Sequence, residues 1–496
     1  MPDDPVLGID FGTRTSRAAV RRDGGTRLIS GWIGEETVES TVSHTDGETI
    51  HVGGSPTGVA ASFPDRTVGS AKCYLRDVAE DPLEFLRPQA FAATVLRQLK
   101  QRAEADLGES VPGAAIAVPC RFGARQRQAV RDAAGIAGFD QCRLVDETTA
   151  AAMSHYRGER EDRTVLVVDL GAETLSTAVL DLGGEVYEVR AAGGDLELGG
   201  NRWDDAIVEW LAAEVRRERG VDLREIVAAH RSRDAAETAK RALSDDTETT
   251  VAVEPPGTDA DAGRIERTLT RDHFEWLTDD LADRVLDSVE RTLDDAGYDP
   301  HDVDEVLLAG GATAMPQIRR AVSRFVGVGP RKATASDGAV VRGAAIAGGI
   351  RSGHVADVVT LPVLPRSLGV EVDGGGFETL VARNTTLPTE ESKLFTTASD
   401  GQTAVDVGVR QGDGGVGAET DRLDHVRLRD ITAAASERPR IEVTVRVDAD
   451  GDVTVDAGDL SSGDRETVSI ADGVGLSEDE IAARREKLPD RMERVE

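Results

Sequence analysis

At 496 residues the chain has room for two or three domains and more than one large core. Its 91 acidic against 58 basic residues give a formal charge of −33, a field that disfavours nucleic acid and anionic membranes as partners. No run approaches the ~18 consecutive apolar residues of a spanning helix, and MPDDPVLGID has no basic stretch ahead of an apolar one, so neither a transmembrane segment nor a secretory leader is expected.

Only six of the basic residues are lysines: Lys72, Lys100, Lys240, Lys332, Lys393 and Lys487. The acids run along the whole chain rather than in a tail. This pattern is similar to that of proteins working in concentrated salt, where a Debye length of about 3 Å at 1 M screens the self-repulsion; an ordinary acidic protein is the alternative. Cys73, Cys120 and Cys142 are far apart and lack metal-ligand spacing, which points to reduced thiols in a cytoplasm.

Residues 5–20 read as strand, turn and strand (VLGID, FGTRTS, RAAV), and residues 164–182 repeat the scheme (TVLVVDL, GAETLS, TAVLDL). Each apolar run ends in Asp, one apolar residue and Gly, then reaches a Thr and a second strand. Self-similarity of this kind predicts two related halves. Helices are predicted over 124–137 and 201–218; in the second, Trp203, Ala206, Ile207, Trp210, Leu211 and Val215 share a face. In EVLLAGGATAMPQIRRAV (305–322) a strand runs into Gly310-Gly311 and a helix opens near Pro316. After about residue 355 helical periodicity gives way to short alternating segments at 368–372, 403–410, 441–447, 453–457 and 466–470, a small antiparallel β-domain. The Gly- and Asp-rich stretch 411–424 is expected to be a flexible loop. Ser477 to Glu480 forms a capping box for a last helix, which Pro489 ends.

A tight hairpin at Asp10-Phe11-Gly12-Thr13 lets backbone approach a phosphate at Gly12, offers a hydroxyl at Thr13, and gives Asp10 a place to hold Mg²⁺ through water. One such hairpin is no more than a β-turn. Its repetition at Asp169-Leu170-Gly171 and Thr174 suggests two hairpins clamping a triphosphate.

In chain order, DFGT, VPCRF, VDETTAAAM, VDLGAET, GGDLELGG, ETAKRALS and LAGGATAMP resemble the heat-shock protein 70 (DnaK) family, from near residue 5 to near residue 488. The resemblance implies an α/β, duplicated, two-lobed actin-like ATPase domain over 1–355 and an interdomain linker over 356–363. A small antiparallel β-sandwich for peptide follows over 364–475, then a short C-terminal helix, the remnant of a lid, over 476–496. It implies that Lys72 positions the attacking water, that Glu147 lies near that water, and that Asp10 and Asp169 hold Mg²⁺ through water. Thr13 and Thr174 would face the phosphates, with Gly12, Arg14, Gly171, Ala172, Glu173, Gly199 and Gly200 around them. Glu237, Lys240, Arg241 and Ser244, on one helical face, would hold ribose and adenine. Gly310, Gly311, Ala312 and Asp337 would line the other side of the nucleoside. Pro119 and Arg127 match an interdomain relay. Leu368, Val370, Phe395, Ala398, Val405 and Val407 match an apolar peptide cleft, although core packing alone also accounts for them. ATP/ADP and Mg²⁺ are the implied cofactors, with K⁺ a further candidate ion. The implied partner is unfolded or extended polypeptide, with a J-domain co-chaperone and a GrpE-type exchange factor as candidates.

The departures bear on activity. Ala172 and Glu173 stand where the family's second hairpin has glycines, and a carboxylate at 173 could repel phosphates unless Arg14 pairs with it. Arg14 replaces a threonine, Ser176 an aspartate, and Ala314 the arginine that stacks on adenine. Pro362 interrupts the linker, Asp373 and Gly376 replace an apolar arch over the peptide, and the lobe I segment between Lys72 and Pro119 is short. Two functional readings follow: an ATP-dependent chaperone with slow hydrolysis, or a nucleotide-binding adaptor with little hydrolysis and a dedicated partner.

Overall fold

The computed structural model describes residues 5–488 apart from 23, 31–35, 45–49, 54–66, 71, 73–74, 76–87, 221, 224–226, 228, 255–263, 333–337, 352–354, 356–357, 414–419, 430 and 432–440. Cys73, Asp337 and Pro489 lie outside the described residues.

The duplication read from the two hairpins is present as topology. In the first half Val6–Asp10 pairs antiparallel with Thr15–Arg22 and parallel with Gly113–Val118, which pairs in turn with Gln141–Asp146. In the second half Arg163–Leu170 pairs antiparallel with Leu175–Gly183 and parallel with Glu305–Ala309. The two aspartates occupy equivalent places: Asp10 lies beside Ala117, and Asp169 beside Ala309. Each half builds its own core, one around Leu7, Ile9, Phe91 and Ile136, the other around Leu166, Trp203, Ile207 and Val289. Trp203, Ile207, Leu211 and Val215 are the buried stripe that the sequence assigned to helix Gly200–Arg219. Between the halves, small residues of helices Glu147–Tyr156 and Ala339–Arg351 interleave (Ala150, Ala151, Ala344, Ala347), so the two helices approach closely.

Beyond them lie two four-stranded antiparallel sheets. One runs Gly376–Val381, Ser367–Val372, Val405–Gly412, Thr420–Leu428; the other runs Thr389–Phe395, Ile441–Val447, Val453–Asp459, Arg465–Ser469. They share a core of Leu368, Val409, Val426, Val445 and Val455. Of the stretch expected as a flexible loop over 411–424, residues 411–412 end one strand and 420–424 begin the next, while 414–419 lie outside the described residues. Three strands escaped the alternation rule for identifiable reasons. Thr389–Phe395 is an edge strand whose residues 390–394 are exposed on both faces. Leu423 and Leu380 are extra residues at register shifts, which break the period of two in their strands.

At its two ends this β region is joined to the halves by backbone elements. Val359–Leu361 adds a parallel strand to Val186–Glu188 at the edge of the second-half sheet, and the ladder stops at Pro362, which has no N–H to give. At the other end, helix Glu478–Lys487 opens with the expected capping box at Ser477. The sequence reading made this helix a lid remnant; the structure seats it on helix Ala124–Ala137 of the first half. Ile481 packs on that half's core, Leu488 is buried in it, and the Arg485 guanidinium donates to the Gly135 carbonyl at 2.7 and 3.0 Å. Arg97 reaches back to the carbonyls of Arg485 and Leu488 at 3.2 and 3.0 Å. Among the described residues no helix is long and apolar enough to cross a membrane.

Candidate functional site

Both hairpins are tight because of what their glycines permit. A Cβ on Gly12 would lie 2.2 Å from the Thr15 carbonyl oxygen. The Gly12 carbonyl accepts from Ser40 Oγ at 2.7 Å, and Thr13 is buried beside it. In the second hairpin the Gly171 N–H bonds the Thr174 carbonyl at 2.9 Å. The loop before helix Gly200–Arg219 closes down on it: the Gly200 and Asn201 N–H groups donate to the carbonyls of Gly171 and Ala172 at 3.0 and 2.7 Å. A Cβ on Gly199 would sit 2.4 Å from the Glu173 backbone, so this approach tolerates no side chain. Gly310, at φ 78°, turns the end of its strand so closely that a Cβ would lie 2.4 Å from Asp169 Oδ1.

Between the hairpins the structure brings together Asp10, Asp169, Glu147 and Lys72. Lys72 and Glu147 form a buried ion pair, and Ser176 Oγ stands 3.5 Å from the other Glu147 oxygen. Glu147 opens helix Glu147–Tyr156, where the helix N-terminus favours a carboxylate. Burial pushes Asp10 up to about 6; Lys72 pulls it down, Glu147 pushes it up and Arg17 pulls it down. Burial also holds Asp169 well above the ordinary carboxylate range, with Glu147 and Asp10 adding to the rise and Lys72 opposing it. Buried Asp169 and Glu147 and half-buried Asp10, facing one ammonium, form a site short of positive charge. A divalent cation supplies what is missing, so the donor set fits Mg²⁺ held by Asp10 and Asp169. Thr174 is half-buried in the second hairpin.

The wall opposite the first hairpin is helix Ala229–Asp245. Lys240 Nζ reaches Asp204 and the Gly200 carbonyl, both at 2.8 Å, and Ser244 Oγ bonds the Lys240 carbonyl at 3.4 Å. Gly200 faces Ala312, whose Cβ would be 3.3 Å from a Cβ placed there, and Gly311 has open space beside it. Arg241 donates to Glu237 at 2.9 Å and is otherwise exposed. The expected pairing of Arg14 with Glu173 gives way to another: Arg14 crosses the cleft to form an ion pair with Glu237. Glu173 Oε1 accepts from Asn201 at 3.3 Å, and burial raises its pKa against the pull of Asn201, Arg202, Arg233 and Arg14. Asp204, Asn201 and Ser40 were not singled out from the sequence, since each acts only by lying opposite a residue distant in the chain.

Arg127 pairs with Asp146 at 2.5 Å and donates to the Phe122 carbonyl, while the Phe122 N–H bonds the Pro119 carbonyl at 3.0 Å, so Arg127, from helix Ala124–Ala137, braces the turn that Pro119 opens. Next to it the Cys120 thiol, pushed up to about 12 by burial, lies 2.7 Å from the Gly193 carbonyl of the second half. The arginine-rich helix Ala124–Ala137 and its flanks meet acids of the β region: Arg121 with Asp413, Arg131 with Asp452 and Arg143 with Asp450, at 2.7–3.1 Å. Of the residues matched to a peptide cleft, Leu368, Val370 and Val407 are buried in the β-region core. Core packing claimed them because they face inward on the two central strands. Phe395 and Val405 are half-buried against that core, and Ala398 is exposed.

A family model described as Hsp70 protein matches residues 76–494. Two proteins named chaperone protein DnaK, from two strains of Halobacterium salinarum, are each 43% identical over 488 residues, covering 97% of this chain and 77% of theirs.

Proposed function

The chain belongs to the heat-shock protein 70 family, and from that premise we propose that it is an ATP-dependent chaperone that couples a nucleotide site between its two halves to capture of unfolded polypeptide. The observation that carries this reading is the convergence of Asp10, Asp169, Glu147 and Lys72 from both duplicated halves on one cation-demanding point. Identity to DnaK chaperones over nearly the whole chain disfavours the adaptor alternative.

In this reading Asp10 and Asp169 hold Mg²⁺, which when bound neutralises charge on the phosphates. Lys72 and Glu147 hold and orient the attacking water between them. Gly12, Thr13, Gly171 and Thr174 present backbone and hydroxyl donors to the phosphates, and Lys240, Arg241, Ser244, Gly310 and Gly311 border the nucleoside. Glu173, a carboxylate on a phosphate-facing turn, slows the reaction by repulsion. We assign 1–355 to nucleotide, 356–363 to the linker, 364–475 to a β-sandwich for peptide and 476–496 to the terminal helix, in a protein of the cytoplasm. With the terminal helix seated on the first half, peptide is held at the strand edge near Phe395, Ala398 and Val405 and is released fast.

The test is single-turnover hydrolysis of ATP in multimolar KCl with Mg²⁺ or EDTA. Slow, Mg²⁺-dependent turnover is expected, and Lys72→Ala should lower it by about a hundredfold or more while nucleotide still binds. Absence of any ATP affinity in high salt would remove the chaperone reading.

A further inference from the structure

Arg14 and Glu237 come from opposite halves of the molecule. Arg14 follows Thr13 on the first hairpin; Glu237 lies on helix Ala229–Asp245. Both oxygens of Glu237 are engaged: Oε2 by Arg14 Nη1, and Oε1 by Arg241 Nη2 at 2.9 Å. The two arginines are not equivalent. Arg241 is 77% exposed and free to swing away, whereas Arg14 is 34% exposed. The charge of Arg14 also acts on Glu39, Glu173 and Asp204, so several carboxylates hold it in place. A guanidinium is a stronger donor to a carboxylate than a neutral hydroxyl is. Any ligand hydroxyl that seeks Glu237 must therefore compete with a fixed cation already in contact.

Resting on the nucleotide reading above, we infer that Arg14 sets the sugar specificity of the site: by occupying Glu237 across the cleft it makes binding nearly indifferent to the ribose hydroxyls. A hydrogen bond from a hydroxyl to a free carboxylate would contribute roughly tenfold to a hundredfold in affinity. With Glu237 engaged, that discrimination is forfeited. In exchange the two halves are tied at the mouth of the site by a pair that does not depend on the sugar.

The experiment measures the affinity of the full chain for Mg·ATP and for Mg·2′,3′-dideoxy-ATP by titration calorimetry in multimolar KCl. Wild type should bind the two within about threefold. Arg14→Thr should free Glu237 and raise the preference for ATP to about tenfold or more. Arg14→Lys should keep the wild-type ratio, and Glu237→Gln added to Arg14→Thr should bring the ratio back down. A wild-type ratio above about threefold, or an Arg14→Thr ratio less than about three times that of wild type, overturns the inference. Failure of wild type to bind Mg·ATP at all overturns the nucleotide reading itself, whereas binding with strong sugar discrimination overturns only the role of Arg14.

Discussion

Asp10 lies at the bottom of the site with its carboxyl raised from 3.8 to about 6, chiefly by burial. Between these values the folded chain holds a proton there that the unfolded chain has lost. The stability this group contributes is therefore fully present below about pH 4 and is lost as pH rises through about 6. A rise of that size corresponds to about 3 kcal/mol. Mg²⁺ requires the ionised form, so binding should expel that proton below pH 6. Mg²⁺ affinity measured at pH 5 should be at least about tenfold weaker than at pH 7, and Asp10→Asn should reduce the dependence, leaving the part due to Asp169. A wild-type affinity that does not change across that range would exclude Asp10 from the cation site. At this scale much was legible: the repeated Asp, Gly and Thr spacing named both hairpins, and motif order named Lys72 and Glu147. The partner of Arg14 was not, because Glu173 and Glu237 are equally plausible carboxylates until the fold places helix Ala229–Asp245 across the cleft.

At the level of elements, the helices read at 124–137 and 201–218 and the central strands of the β region were readable, since burial on one face imposes a period. The edge strand Thr389–Phe395 was not, because exposure on both sides leaves no pattern. Nor was the seat of helix Glu478–Lys487: its sequence fixes its cap at Ser477 but not its docking site, which depends on the Gly135 carbonyl and on Arg97. Leu488 is its main apolar anchor. Arg485→Ala with Leu488→Ala removes that anchor and two charged hydrogen bonds, a loss of about 3–6 kcal/mol against undocking. Hydrogen exchange should then accelerate by more than about a hundredfold in residues 478–488, with little change in the sheets. Unchanged protection there would show that the docking is held by something else.

For the whole molecule, a formal charge of −33 sets the conditions under which it holds together. Diluting salt from about 1 M to 0.1 M lengthens the Debye length from about 3 to about 10 Å. Repulsion among the acids then spreads through the chain, while the contacts from Arg121, Arg131 and Arg143 to the β region, and from Arg383 to Asp295, gain only locally. Thermal midpoints should therefore fall on dilution, and scanning calorimetry across a KCl series checks this; a midpoint that rises would mean that the interdomain pairs outweigh the net charge. The β region meets the larger body at both of its ends: Val359–Leu361 is laced into the second half, and Glu478–Lys487 is seated on the first. It is slung between the two jaws like a hammock, so a scissoring of the jaws that changes the distance between those moorings must either strain the fabric or slip a knot. A single backbone cut within the sling would not shed it, because each piece would stay moored to its own jaw at high effective concentration.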